Sequence, residues 1–458
     1  MRRLTTAADL GPGLTAIREQ LHVPGAFPPE AVAEAEAAAG APLPPYEDRR
    51  DIGFVTLDPP GAMDLDQAVA LERRGSGYRI HYAIADVAAF VQPGGALDAE
   101  AHRRALTRYL PDADAPLHPP VLSEGAASLL PGEDRPATLW TFELDADGRR
   151  QAVDLRRALV RSRERFDYAT AEGDERFSLL REIGALLQAC ERERGAINLP
   201  IPEQEVVLED GSYALAYRGP LPIEDANAQI SLLTGMAAAE IMLAKGVGLL
   251  RTLPEPAPEQ IERLRRVAAA LDVDWPADEP VGDYIRRLDP LRPREAAVLE
   301  EAASLLRGAG YAAFTGTPPA DAGHAGVAAP YAHVTAPLRR LADRYATAAC
   351  LHDTPPAWLL EALPGLPGEM AAAGRAANAV ERSVVDLVEA LLLRDRVGET
   401  FPAMVIDRVG KRDVEVQLAD PAVRARCDGD GLAPGDELTV RLAEADPDTR
   451  VVRFAPAG

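Results

Sequence analysis

Hydrophobic and polar residues alternate in the first half of the chain, and this pattern predicts β-strands. Every second residue from Tyr78 to Ile84 is large and apolar, as in a half-buried strand. Residues 139–144 and 152–159 predict a hairpin whose turn contains the Asp-Gly pair at 147–148. The first half is therefore predicted to build a mixed or antiparallel sheet.

The second half has the spacing of helices. Apolar residues recur at 261, 264, 267 and 271, on one face of a helix. Residues 228–250 are nearly all apolar or small, which predicts one or two buried helices. A block of strands followed by a block of helices favours an α+β fold over a regular βα alternation.

The two ends of the chain have patterns that differ from those of the strand-rich and helical regions between them. Residues 1–46 predict two short helices, the second over residues 29–39 with prolines at its start. They could be a fragment of a winged-helix-like nucleic-acid-binding module or a packing arm. Residues 399–458 predict short strands separated by turns. We therefore divide the chain into residues 1–46, 47–398 and 399–458.

Composition narrows the class of protein. The hydrophobic fraction of 47% is enough for a sizeable core, and no long uncharged apolar run predicts a membrane span or a secretory signal. The three cysteines are far apart and form no metal-binding spacing, which favours a reducing, cytoplasmic setting. The net charge of −23 predicts poor long-range attraction to nucleic acids. Any phosphate ligand would then need a local lining of arginines, whose fork-shaped side chains bind two oxygens at once.

Three aspartates, Asp58, Asp64 and Asp66, crowd around one predicted turn. The strand that precedes them is broken by two prolines and Gly61. Crowded carboxylates repel one another unless a cation lies between them. Mg²⁺ prefers a few carboxylates together with phosphate oxygens, so the segment predicts a magnesium site for phosphate chemistry. An acidic surface loop and the DxD motif of a metal-dependent transferase are the alternatives. Asp86 is predicted to be a buried structural carboxylate.

The motifs resemble those of one enzyme family. The aspartate segment, TLDPPGAMDLDQAV, is similar to the signature of the RNase II (RNB) family, T-[IL]-D-P followed by D-x-D-D-A. Further stretches resemble family segments in the same order: IADV with YLPD, then VLSEGAASLLPGEDRPA, then YAHVTAPLRRLADR. Together these stretches extend over roughly residues 50–400. One position departs from the signature, because Gln67 stands where the fourth aspartate is expected.

The resemblance implies a fold and an activity. It implies a large α+β RNB catalytic domain over residues 47–398 and a C-terminal OB-fold RNA-binding β-barrel over 399–458. The implied activity is Mg²⁺-dependent hydrolysis of single-stranded RNA from its 3′ end, which releases nucleoside 5′-monophosphates; Mn²⁺ is an alternative ion. We expect a monomer that acts on RNA 3′ ends and has no membrane partner.

The resemblance also implies roles for individual residues. The implied metal ligands are Asp58, Asp64 and Asp66. The implied catalytic residues are Asp66, Arg339 and Glu381. The implied substrate-binding residues are Tyr109, Tyr168, Arg339 and Arg340. The sequence itself suggests that Arg340 pairs structurally with an acid such as Asp343.

Gln67 leaves a second function open. A glutamine carbonyl can coordinate a metal but carries no negative charge, so the metal site would be weaker. The chain could then be a catalytically weak RNA-binding relative of the family. If position 67 is a ligand position, Gln67→Asp is expected to lower the Mg²⁺ concentration that activity requires.

Overall fold

The computed structural model describes residues 5–457, except residues 201, 210, 211, 291 and 411. The strands are β1 (Thr5–Thr6), β2 (Glu47–Asp48), β3 (Phe54–Asp58), β4 (Gln67–Arg74), β5 (Gly77–Ala85), β6 (Asp134–Leu144), β7 (Arg150–Asp167), β8 (Glu203–Glu209), β9 (Ser212–Arg218), β10 (Val247–Thr252), β11 (Gly310–Thr315), β12 (Gly323–His324), β13 (Ala329–Pro330), β14 (Thr400–Val409), β15 (Asp413–Leu418), β16 (Val423–Asp428), β17 (Glu437–Asp446) and β18 (Val451–Pro456). The helices are α1 (Ala7–Gln20), α2 (Pro29–Ala39), α3 (Ala96–Arg104), α4 (Tyr168–Ala171), α5 (Ser178–Arg194), α6 (Pro222–Lys245), α7 (Pro258–Ala270), α8 (Val281–Arg286), α9 (Pro293–Ala302), α10 (Leu341–Leu351), α11 (Ala357–Ala362) and α12 (Leu366–Leu393). The predicted α+β class is confirmed: a strand-rich first half, a helical second half and a terminal barrel.

The strands of the first half form a six-stranded sheet in the order β2-β7-β3-β4-β5-β6, and β6 also pairs with β7. The predicted hairpin is present, since Trp140 of β6 lies opposite Leu155 of β7. Gly148 in its turn has a φ of 79°, a conformation that glycine adopts without strain. Tyr82 of β5 and Trp140 are fully buried where the sheet packs against the helices.

The aspartate segment lies where the strands of this sheet end. β3 ends at Asp58, which lies beside Asp167 at the end of the parallel strand β7. The chain then turns through Gly61, whose φ is 83°, and re-enters the sheet at Gln67, the first residue of β4. The segment between Asp58 and Gln67 therefore projects as a loop, which we call the aspartate loop (residues 58–66).

The helical half differs from the sequence prediction at one boundary. The apolar stretch 228–250 is helical only as far as Lys245, where α6 ends. Gly246 then adopts a left-handed conformation with a φ of 71°, which terminates the helix. The remaining residues begin β10, which pairs with β11. The apolar run thus covers a buried helix and a buried strand, which composition alone does not distinguish.

The N-terminal segment packs against the rest of the molecule. Leu10, Leu14 and Ile17 of α1 belong to the same apolar cluster as residues of α12 and of the C-terminal barrel. β1 adds to the edge of β9. The segment thus contacts α12, the barrel and β9, and its assignment as an arm or a module stays a prediction.

The tail is a closed five-stranded barrel in the order β14-β15-β16-β18-β17. Its phenylalanines, Phe401 and Phe454, are 3% and 1% exposed and pack edge to face in the barrel core. Neither ring is therefore available for stacking on a base. In the described part of the chain, no helix is long and apolar enough to cross a membrane.

A buried carboxylate lies where the barrel meets the large domain. Glu389 of α12 is 4% exposed, and its Oε1 accepts hydrogen bonds from Gln204 Nε2 at 2.6 Å and from the Arg424 backbone N–H at 2.9 Å. Burial raises the pKa of Glu389 to about 8, although both hydrogen bonds act in the opposite direction. The charged form of Glu389 is therefore disfavoured in the folded protein.

We expect Glu389→Gln to stabilise the protein at alkaline pH. Because the folded pKa lies above the unfolded one, stability falls as pH rises through about 8, and the amide removes this loss while its carbonyl still accepts both hydrogen bonds. The melting temperature of the variant should exceed that of the wild type by a few degrees at pH 8.5 and by less at pH 5.5. An equal difference in melting temperature at both pH values would contradict the raised pKa of Glu389.

Candidate active site

The aspartate loop forms one wall of an open cleft of about 600 Å³. The other walls come from the segment after α3, from the turn before α10 and from an irregular helical segment at residues 122–126. The cleft is lined by Asp58, Pro59, Pro60, Gly61, Ala62, Met63, Asp64, Thr107, Tyr109, Asp114, Pro116, Ser123, Glu124 and Arg339. Residues far apart in sequence thus line one cleft at the end of the strands.

Asp66 is the most deeply buried of the three aspartates, with 2% of its surface exposed. The backbone N–H of Leu338 donates to its Oδ1 at 2.8 Å. The Nε of Arg339 lies 3.2 Å from its Oδ2, which has no hydrogen bond of good geometry. Asp66 therefore joins the aspartate loop to residues 335–340, which we call the arginine turn.

The electrostatics of the aspartates follow from their burial. Burial raises the pKa of Asp66 to about 8 and that of Asp58 to about 7, although Arg339 lowers both. The nearby Asp64 carboxylate adds to the rise in both cases. Such desolvated carboxylates gain most from a cation placed between them.

Asp58 and Asp64 complete the acidic wall of the cleft. The Oδ2 of Asp58 is buried and has no hydrogen-bond partner. The hydroxyl of Tyr109 donates to Asp64 Oδ2 at 3.2 Å. Asp64 is thus oriented by a side chain on the opposite wall, whereas Asp58 keeps a free oxygen.

Ser128 fixes the backbone of the aspartate loop, a role that sequence reasoning missed. Its hydroxyl is fully buried, accepts from the Leu65 N–H at 3.0 Å and donates to the Met63 carbonyl at 2.6 Å. It therefore holds the chain on both sides of Asp64. The available signal was its place in the SLLP part of a segment that resembles the family, but its contact with the loop is tertiary.

The neighbouring arginines of the arginine turn have different environments. Arg339 points to Asp66 and keeps 41% of its side chain exposed, so it can also reach a ligand in the cleft. Arg340 places Nε and Nη2 each 2.9 Å from the oxygens of Asp343, a fully buried residue. The structural pairing of Arg340 with Asp343 is as the sequence suggested, so Arg340 is engaged by Asp343 whereas Arg339 faces Asp66.

The tyrosines also lie near the aspartates. The Tyr109 ring is 52% exposed at the mouth of the cleft. Tyr168 begins α4 directly after Asp167, the strand neighbour of Asp58, and Asn227 Nδ2 donates to its hydroxyl at 3.4 Å. Tyr109 is therefore exposed to the cleft, whereas Tyr168 is partly buried, packs against the core and is not among the lining residues.

Glu381 lies at an exposed position of α12 and, like Asp66, Tyr168 and Arg340, is not among the residues that line the cleft. Its predicted role in catalysis stays a prediction.

Gln67 faces the arginine turn. Its Nε2 donates to the backbone carbonyl of Thr335 at 2.6 Å. Two consecutive residues, Asp66 and Gln67, thus hold the arginine turn through different backbone groups.

The aspartates of the cleft supply some of the oxygen ligands that a divalent cation needs. Asp58 Oδ2 and Asp66 Oδ2 are both buried and lack a hydrogen bond of good geometry, although Asp66 Oδ2 lies 3.2 Å from Arg339 Nε, so each offers an oxygen to a cation. Among the residues that the structure describes, no group of three carboxylates, histidines or cysteines stands in a ligating arrangement. Because Mg²⁺ commonly takes few protein carboxylates and completes its shell with water and phosphate, two such oxygens are compatible with it.

The fold and the cleft define an α+β domain with an acidic, arginine-capped cleft, joined to an OB-like barrel. Residues 46–350 match the RNB domain, and residues 399–457 match the C-terminal S1 domain of RNase II-type exonucleases. The chain therefore belongs to the RNB-domain family.

By their names, the similar proteins include ribonucleases and a pseudonuclease. Ribonuclease R of Escherichia coli (strain K12) is 31% identical over 320 residues, which cover 65% of this chain and 39% of the relative. RNase R of Mycoplasma genitalium in complex with ribose-methylated single-stranded RNA has a TM-score of 0.87 at 19% identity, with coverage of 98% and 78%. Yeast Ssd1, a pseudonuclease, has a TM-score of 0.68 at 15% identity, with coverage of 87% and 53%. This chain thus spans well under two thirds of the E. coli relative, and the shared fold alone does not decide activity.

Proposed function

We propose that the chain is a Mg²⁺-dependent 3′→5′ exoribonuclease that hydrolyses single-stranded RNA to nucleoside 5′-monophosphates. The observation that carries the proposal is the environment of Asp66. It is buried, and its Oδ2 has no hydrogen bond of good geometry and lies beside a half-exposed arginine that lines an open cleft. A carboxylate next to an arginine suits a phosphodiester, which needs a bound cation and a clamp for its negative oxygens.

The residues of the cleft would share the work as follows. Asp58 and Asp66 would hold the metal, with Asp64 adding negative charge. When bound, Mg²⁺ supplies Lewis acidity and an activated water for attack on phosphorus. Arg339 would clamp the non-bridging oxygens of the scissile phosphate and balance the charge that develops there. The arginine turn and the aspartate loop keep these groups in register through the Leu338–Asp66 hydrogen bond.

The tyrosines would hold the 3′-terminal nucleotides. Tyr109 offers an exposed ring at the cleft mouth, and its hydroxyl is anchored on Asp64. Base stacking on an aromatic ring contributes about 1–3 kcal/mol and tolerates any base. The proposed site therefore grips short 3′ ends without reading their sequence.

Tyr109→Ala is expected to lengthen the limit product by releasing short RNAs earlier. The half-exposed ring contributes little to the core, so the melting temperature should stay close to that of the wild type. The measurement is the size of the final product from a 5′-labelled RNA on a sequencing gel, with Tyr109→Phe as the control that keeps the ring. An unchanged limit product in the folded alanine variant would refute the stacking role.

A direct assay tests the proposed activity. The purified protein is incubated with a 5′-labelled single-stranded RNA, with Mg²⁺, with Mn²⁺, and with a chelator. The proposal predicts a ladder that shortens from the 3′ end and released 5′-monophosphates, both dependent on the metal. A single internal cut, or shortening that persists in the chelator, would contradict it.

The second candidate is a catalytically weak RNA-binding relative. It is favoured by Gln67, which removes one carboxylate from the site, and its fold is compatible because a pseudonuclease shares it. RNA binding without metal-dependent shortening in the same assay would select this candidate.

A further inference from the structure

Gln67 is the position at which the aspartate signature changes, and its side chain has a defined partner. Its amide lies 2.6 Å from the Thr335 carbonyl oxygen. A carbonyl oxygen only accepts hydrogen bonds, so the amide nitrogen must be the atom that faces it. An aspartate cannot form this contact, because a carboxylate has no proton to donate at neutral pH.

Hydrogen bonds at three other residues also hold the arginine turn. Asp343 Oδ1 accepts from the Ala336 N–H at 2.6 Å, and Asp66 Oδ1 accepts from the Leu338 N–H at 2.8 Å. The Arg339 carbonyl accepts from the Thr107 N–H at 3.0 Å. The Gln67 contact holds the peptide group between the buried Thr335 and Ala336 from its carbonyl side, whereas Asp343 holds the N–H of the same group.

We propose that Gln67 is a positioning residue, a tether that fixes the arginine turn against the aspartate loop, and that it is not a metal ligand. This inference rests on the proposed nuclease function. Asp66 and Gln67 are adjacent, so the start of β4, directly after the buried carboxylate, also holds the turn that carries Arg339. Where the family signature has a carboxylate, this chain has an amide that holds the turn carrying Arg339. Gln67→Asp would remove this hydrogen bond and is therefore expected to lower the rate. This reverses the sequence-based expectation that Gln67→Asp lowers the Mg²⁺ concentration that activity requires.

Gln67→Met tests the tether, since methionine has similar length and no donor. The expected result is a fall in kcat of about 10- to 100-fold per folded molecule, because small misplacements of a clamping group cost rates of this order. The Mn²⁺ dissociation constant, measured by calorimetry, should stay within about twofold. Gln151→Met is the matched control: Gln151 also donates to a backbone carbonyl, that of Arg149, but is exposed near the start of β7, far along that strand from Asp167. It should change neither quantity.

A double-mutant cycle separates a tether from a merely structural residue. If Gln67 acts by holding Arg339, Gln67→Met should have little further effect on kcat in an Arg339→Ala background. Hydrogen exchange adds a readout that needs no activity: the amides of residues 335, 336 and 338–340 should exchange faster in Gln67→Met. Additive effects in the cycle, or unchanged exchange, would overturn the tether.

The remaining outcomes are equally decisive. Mn²⁺ binding that is tenfold weaker in Gln67→Met, or tenfold tighter in Gln67→Asp, would identify a ligand position and overturn the proposal. An unchanged kcat in Gln67→Met would overturn it as well. If the wild-type protein does not cleave RNA at all, the proposed function fails, whereas calorimetry and hydrogen exchange still decide between a tether and a ligand.

Discussion

Asp66→Asn is expected to reduce RNA hydrolysis roughly 10³-fold, equivalent to about 4 kcal/mol of activation free energy. Asparagine can still accept the Leu338 N–H through its carbonyl, so the arginine turn keeps that contact. It loses the charge that faces Arg339 and that would attract the metal. RNA affinity, measured by filter binding or anisotropy in a chelator, should therefore stay within a few-fold of the wild type.

Asp86→Asn is the matched control for this substitution. Asp86 is also buried, at 3% exposure, but its partners are the Tyr46 hydroxyl at 2.9 Å and Arg157 at 3.1 Å. Its replacement should lower stability and leave the turnover of the folded enzyme nearly unchanged. Near-normal cleavage by Asp66→Asn would refute the assignment of Asp66 to the catalytic centre.

Arg339→Ala and Arg340→Ala are expected to fail for different reasons, although the residues are adjacent. Arg339 is half-exposed beside Asp66, so its loss should reduce kcat by roughly 10²–10³-fold, as for other groups that stabilise developing charge. Asp66 keeps the hydrogen bond from the Leu338 N–H, so stability should fall less than in Arg340→Ala. Arg340 is the bidentate partner of the fully buried Asp343. Its loss leaves a buried carboxylate unpaired and should destabilise the protein by about 3 kcal/mol.

Two measurements on each variant distinguish the two effects. Urea unfolding gives the change in stability, and single-turnover cleavage below the unfolding transition gives the change in rate. A lysine at 339 is the conservative comparison, since it keeps the charge and loses the two-pronged geometry, so it should restore only part of the rate. A stable Arg340→Ala protein that has lost its turnover would show that the roles of the two arginines are reversed.

The strand and helix content was readable from local patterns. The alternation from Tyr78 to Ile84 predicted β5, and the Asp-Gly pair at 147–148 marked the turn between β6 and β7. These elements were predictable because each pattern repeats with the period of the structure that buries it. The apolar run at 228–250 was less informative, because a buried helix and a buried strand have the same composition.

The sequence by itself determined the chemistry of the site: which aspartates crowd together, which arginines follow Pro337, and that Gln67 departs from the signature. The tertiary structure alone decided how these groups face one another. It separated Arg339 from Arg340 by giving Asp343 to the latter, placed Glu381 away from the cleft lining, and buried Phe401 and Phe454 in the barrel. It also revealed Ser128 and the contact of Gln67 with Thr335. The contact of Gln67 with Thr335 joins positions 268 residues apart, and such contacts depend on burial and direction, which local sequence does not encode.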